Sequence, residues 1–191
     1  MATSRRVLLV NPVPLFGGNR VAGASRLQPG LVSIYSFLAG HGVPIDVLDL
    51  HLELGVPTSP PDVPAMAAES ARRVLAHDHD LLAISCNSSF HYLGAVDLAE
   101  KARMADTKLT IVVGGCHATA VPDDFVAPGS PFDVVIKGEG ELALLELARS
   151  RQARPPQPEV RQGRPCPSMR SGWISSAIRI GCRSPTSCPS L

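Results

Sequence analysis

Five short apolar runs, each followed by a stretch of helical character, constrain this chain more than any other feature. The runs are Val7 to Val10, Ile45 to Leu50, Leu81 to Ser85, Leu109 to Val113 and Pro131 to Ile136. All are short and rich in Val, Ile and Leu, as buried parallel strands are. Between them, Leu31, Ile34, Tyr35, Leu38 and Ala39 recur at helical spacing after Pro29-Gly30. Ala65 to Ala76 is alanine-rich and helical, a helix is expected from about Tyr92 to Met104, a short one over Val121 to Val126, and another over Leu142 to Arg149. Strand then helix, five times over, predicts a doubly wound, mostly parallel α/β domain of three layers. The natural order for five such strands is flavodoxin-like, 2-1-3-4-5, with its switch point between the first and third. The loops that begin at Asn11 and Cys86 then flank a crevice, and Gly114-Gly115 lies beside them.

The pattern covers residues 1–150, which form the predicted domain. That part holds eleven basic and sixteen acidic side chains, a balance of −5. Residues 151–191 hold seven arginines, no lysine and only Glu159 as an acid, a balance of +6. Repeated prolines break this tail, and only Trp173 to Ile180 clusters apolar residues. It is expected to be disordered or a poorly packed extension; a change of reading frame would also leave such a boundary. The acidic body argues against nucleic acid as a partner. No apolar run reaches the length of a membrane span, and Asn11-Pro12 ends the first run too soon for a signal peptide. An odd set of five cysteines without a dense framework fits free thiols. A cytoplasmic protein is expected.

Several common chemistries lack their motifs. No phosphate loop ending in Gly-Lys-Ser/Thr is present, and no Gly-x-Gly-x-x-Gly follows the first strand. Gly138-Glu139-Gly140 ends in acids, which repel a pyrophosphate. No nucleophile elbow occurs. A receiver domain would need acids where Asn11 and Cys86 stand. His77-Asp78-His79-Asp80 resembles a metal cluster on paper, but histidines two apart share no helix face, so a surface connection is expected.

What remains is polar chemistry at strand ends. Ser85-Cys86-Asn87-Ser88-Ser89 closes the third strand, where hydroxyls and amides either cap the next helix or bind a ligand. Gly114-Gly115-Cys116-His117-Ala118-Thr119 closes the fourth, and the glycines allow a tight turn or a close approach. His117 is either a capping histidine or a ligand contact. Lys137-Gly138-Glu139-Gly140-Glu141 closes the fifth.

Together with Val7 to Pro12 and Pro29-Gly30-Leu31, and in this order, these motifs resemble the N-terminal cobalamin-binding domain of the cobalamin-dependent radical S-adenosylmethionine proteins, over about residues 5–148. The resemblance implies cobalamin over the carboxyl edge of the sheet, with its nucleotide tail inserted among the loops. The cofactor-binding set it implies is Asn11, Pro12, Ser85, Asn87, Ser88, Ser89, Gly114, Gly115, His117, Gly138, Glu139 and Gly140. In that family a partial barrel carries Cys-x-x-x-Cys-x-x-Cys, whose three thiolates hold an iron–sulfur cluster. Cys166, Cys182 and Cys188 do not match that spacing, and the chain is too short for the barrel. No iron–sulfur cluster and no turnover by this chain alone are therefore expected, and a radical S-adenosylmethionine domain or protein is the implied partner. Asn11 to Phe16 lacks the Asp-x-His-x-x-Gly of methionine-synthase-like domains, so any metal would arrive as the cofactor's cobalt, with no ligand from that loop. The alternatives are a scaffold domain of the same fold that binds no cofactor, and an enzyme with an unrelated nucleotide-type ligand in the same crevice.

Overall fold

In the computed structural model the described residues are 4–15, 28–150, 155 and 157–164. One parallel sheet runs through the molecule. Its strands are β1 (Val7–Asn11), β2 (Ile45–Asp49), β3 (Leu81–Ser85), β4 (Thr110–Gly114), β5 (Val134–Lys137) and β6 (Glu159–Gln162), in the order β2-β1-β3-β4-β5-β6. The expected 2-1-3-4-5 order holds, and the sheet is one strand wider than expected. β6 comes from the segment read as a disordered or poorly packed tail. It pairs in parallel with β5 from Val134↔Glu159 to Lys137↔Gln162. Its sequence, Glu-Val-Arg-Gln, alternates polar and apolar as an edge strand can, too briefly to register as a pattern.

Helices α1 (Pro29–Gly40) and α6 (Glu141–Arg149) cover one face of the sheet. The other is covered by α3 (Asp62–Leu75) and α4 (Ser89–Ala105), with the short helices α2 (Leu50–Leu54) and α5 (Cys116–Ala120). Strand residues divide by alternation. Leu8, Val10, Leu82, Ile84, Ile111 and Val113 face α3 and α4, whereas Val7, Leu9, Leu81, Ala83, Val112 and Ile136 face α1 and α6. The core is aliphatic and alanine-rich, as the low aromatic content predicts.

Local sequence sets the helix ends. Pro29 opens α1, where its missing N–H costs no hydrogen bond, and Gly42, at φ +74°, lets the chain leave it. α3 starts at Asp62, three residues earlier than expected. The Asp62 carboxylate accepts from Thr58 Oγ1, Ser59 N and Ser59 Oγ, and Pro64 is tolerated within the first turn. α4 also starts earlier, behind the extended Ser88. Gly94 on α4 has a steric reason: a Cβ there would lie 1.9 Å from Val13 O, so α4 approaches the chain leaving β1 only because that residue is glycine.

The amino end of the sheet is clamped. Arg103 of α4 donates through Nη2 to Asp133 Oδ2 (2.6 Å) and through Nη1 to Leu109 O (2.6 Å), and the same carboxylate oxygen accepts from Ile111 N. His77 to Asp80 forms the surface connection expected of it. Arg6 binds the Asp78 carboxylate, and His79 Nδ1 lies 2.9 Å from His77 O. No helix among the described residues is long and apolar enough to cross a membrane.

Candidate functional site

The carboxyl ends of β3 and β4 are stitched by backbone. Cys86 N donates to Gly114 O (2.7 Å) and His117 N to Cys86 O (3.1 Å). Gly115 sits at φ +111°, and a Cβ there would lie 2.7 Å from Asn87 Oδ1 and 2.8 Å from Cys86 O. Only glycine meets both demands, the positive φ and the close approach. Asn87 Nδ2 donates to Gln28 Oε1 (2.8 Å), at the start of α1, and to Ser85 Oγ (3.0 Å). Gly138, at φ +82°, donates its N–H to Thr119 Oγ1 (2.9 Å), which joins the loop after β5 to α5.

These loops rim one cavity of about 440 Å³, within the range of ligand pockets. Its floor is the sheet face under α1 and α6. Leu9, Ala83 and Val112 stand side by side in register, and Ser85, Gly114 and Ile136 form the next row toward the rim. The two central positions of this floor are small, Ala83 and Gly114, so the floor is a trough. Leu31 and Ile34 of α1 form one wall and Leu144 of α6 the other. The helices are tied across the mouth by Ser33 Oγ, which donates to Glu141 Oε1 (2.7 Å); Glu141 is buried. Among the described residues, the lining contains no lysine, arginine or histidine and two acids, Glu139 and Glu141.

Seven sequence candidates meet at this cavity: Ser85, Asn87, Gly114, Gly115, Gly138, Glu139 and Gly140. Five do not. Asn11 is buried, with its Nδ2 donating to Asp49 Oδ1 (2.8 Å), and Pro12 is buried beside α4. Ser88 precedes α4 and its Oγ lies 3.0 Å from His91 Nδ1, while Ser89 is exposed on the first turn. His117 turns away because a short helix, α5, replaces the expected loop. Its ring packs against Tyr92 (5.7 Å between centroids) and Phe125 (5.8 Å) under the opposite face, with Nε2 3.7 Å from Asp124 Oδ2. Sequence reading missed the trough itself. Leu9, Leu31, Ile34, Ala83, Val112 and Leu144 read as core, and the one available signal was the small residue Ala83 within a strand of larger ones. Most of the loop that begins at Asn11, the segment Trp173 to Ile180, and Cys166, Cys182 and Cys188 lie outside the described residues.

A second polar group lies at the ends of β1 and β2. His91 Nε2 is 3.2 Å from His51 Nδ1, and Asp49, which bonds Asn11, also accepts from Leu52 N. Burial, reinforced by His51, pushes His91 down to about 4 against the opposing pull of Asp49. Burial also lowers His51. Both are neutral at pH 7. Burial pushes the Cys86 thiol up to about 12, so it stays protonated, while Cys116 is exposed at the cavity rim. Among the described residues, no group of three or more His, Cys, Asp or Glu is placed to hold a metal ion.

A family model described as the B12 binding domain matches residues 21–148. The chain belongs to the B12-binding domain family. The chain is also similar to the 2-(S-pantetheinyl)-carbapenam-3-carboxylate methyltransferase of Streptantibioticus cattleyicolor, with 34% identity over 79 residues. That match takes in 41% of this chain and 12% of the methyltransferase, so the chain corresponds to a small part of that relative's length.

Proposed function

We propose that this chain binds cobalamin and serves as the cofactor-presenting module of a radical S-adenosylmethionine methyltransferase-like protein. The trough carries the reading. It is open at the carboxyl edge, apolar on its floor and polar at its rim, and so suits a flat aromatic base below with a sugar, phosphate and amides above. The residues present fit the group. Ser85, Asn87 and Thr119 offer hydroxyl and amide groups at the rim, and Gly114, Gly115 and Gly138 bring backbone close to whatever lies there. The lining, acidic and without a cation among the described residues, disfavours free nucleotides with several unneutralised phosphate charges, which lowers the claim of an unrelated nucleotide enzyme. Bound there, cobalamin supplies organocobalt chemistry for transfer of a methyl group. The residues of this chain position it and keep water from its tail. The radical step is assigned to a partner domain or protein, in line with the resemblance in the strand-end motifs and with the relative named as a methyltransferase.

The test is direct. Purified chain is mixed with hydroxocobalamin, separated by gel filtration and scanned in the visible range. Shifted cobalamin bands that travel with the protein are the expected result, and a colourless protein peak overturns the reading. One observation favours a second reading, a scaffold domain without cofactor. Asn87, Thr119 and Glu141 already bond neighbouring residues, so part of the rim's hydrogen-bonding capacity is taken up by its own side chains. The colourless outcome is the one that reading expects.

A further inference from the structure

We infer that the trough selects among corrinoids by their lower base, taking one that bears dimethylbenzimidazole over one that bears adenine. The inference rests on the cobalamin reading above and goes beyond it to the identity of the ligand. The floor and walls, from Leu9, Ala83 and Val112 to Leu31, Ile136 and Leu144, present no side-chain donor or acceptor. The strand backbone beneath them is engaged in parallel ladders on both sides of β3 and β4. Among the described residues, the polar side chains of the lining all stand at or beyond the carboxyl ends of the strands, and four of them are already engaged there: Asn87 with Gln28 and Ser85, Thr119 with Gly138, and Glu141 with Ser33.

Against this floor the two bases differ in kind. In place of carbon and methyl groups, adenine carries two further ring nitrogens and an amino group. Those polar atoms leave water on entry and meet no partner, which is costly. The methyl groups of dimethylbenzimidazole are instead buried against aliphatic side chains, which is favourable. A site without a matching hydrogen bond discriminates against the polar analogue, here by roughly 10- to 100-fold. Ala83 sets the depth. It lies between Leu9 and Val112 in the same register row, and a larger side chain there would fill the space the base takes.

The experiment measures dissociation constants of the full chain by equilibrium dialysis for three probes: hydroxocobalamin, its adenine-bearing counterpart, and cobinamide, which has no base. The expected result is binding of hydroxocobalamin roughly 10- to 100-fold tighter than of the adenine form. Ala83→Leu is expected to bring hydroxocobalamin down to the affinity of cobinamide. Val112→Thr, nearly isosteric, places a hydroxyl on the floor and is expected to narrow the gap between the two bases, which keeps the test open should Ala83→Leu fail to fold. Equal affinity of the wild-type chain for both complete corrinoids overturns the selectivity while leaving cobalamin binding intact. Unchanged hydroxocobalamin affinity in a folded Ala83→Leu overturns the placement of the base. Failure of all three probes to bind overturns the cobalamin reading, and the selectivity with it.

Discussion

The two faces of the sheet are built from the same strands and finished differently. Under α3 and α4 the space is filled. Phe125 and Phe132 are wholly buried with ring centroids 5.3 Å apart, and Tyr92 and His117 close the cluster at edge-on angles. Under α1 and α6 the floor dips at Ala83 and Gly114, no aromatic ring among the described residues lines the gap, and a cavity remains. Shape follows from where bulk is placed along strands that look alike. The filled face holds the fold and the open one is free to take a ligand.

Three measurements sharpen or break that contrast. The largest effect is expected at the filled face. Phe125→Ala removes a ring from a closed cluster and is expected to cost about 3–5 kcal/mol in urea unfolding, and a loss below about 1 kcal/mol would mean that this face is not tightly packed. An intermediate effect is expected from acid. His91 is held at about 4, below the ordinary histidine value near 6.5, so the unfolded chain binds a proton that the folded one refuses. The stability that this neutral imidazole contributes is complete above about pH 6.5 and is lost as pH falls toward 4, on the order of 2 kcal/mol. His91→Gln is expected to flatten the unfolding free energy over that window, and an unaltered pH profile would place the acid sensitivity elsewhere. The smallest effect is expected at the open face. Leu144→Ala removes a side chain that already borders empty space and is expected to cost about 1–2 kcal/mol, below the usual range for such truncations. A cost equal to that of Phe125→Ala would erase the distinction between the faces.

The sequence declares the fold where it is periodic and loses the site where it is not. Runs such as Leu81 to Ser85 and Ile111 to Val113 could be placed as strands because burial on both faces removes charge from them. Strand order followed from the alternation with helices, and the rim at Ser85, Asn87, Gly115 and Gly138 followed from strand order. Three features had no such signal. α2 and α5 are five residues each, too short for a helical period to show. The direction of His117 is fixed by α5 and by an aromatic cluster drawn from Tyr92 and Phe125, far away in sequence. β6 is legible only by its partner, since four residues of mixed polarity gain strand character from the free edge of β5. The trough was hidden for a related reason: aliphatic residues read as core whether they touch one another or surround a gap.

Gly163 follows β6 and donates its N–H to Lys137 O (2.7 Å), and a Cβ on it would fall 1.9 Å from Glu139 O. The outermost strand and the lip of the cavity are thus one mechanical piece, fitted so closely that a single methyl group would pry them apart. A pull on the chain beyond this strand is passed to the backbone of Lys137 and Glu139 before it reaches any helix. Tension from that direction therefore arrives at the mouth of the trough first.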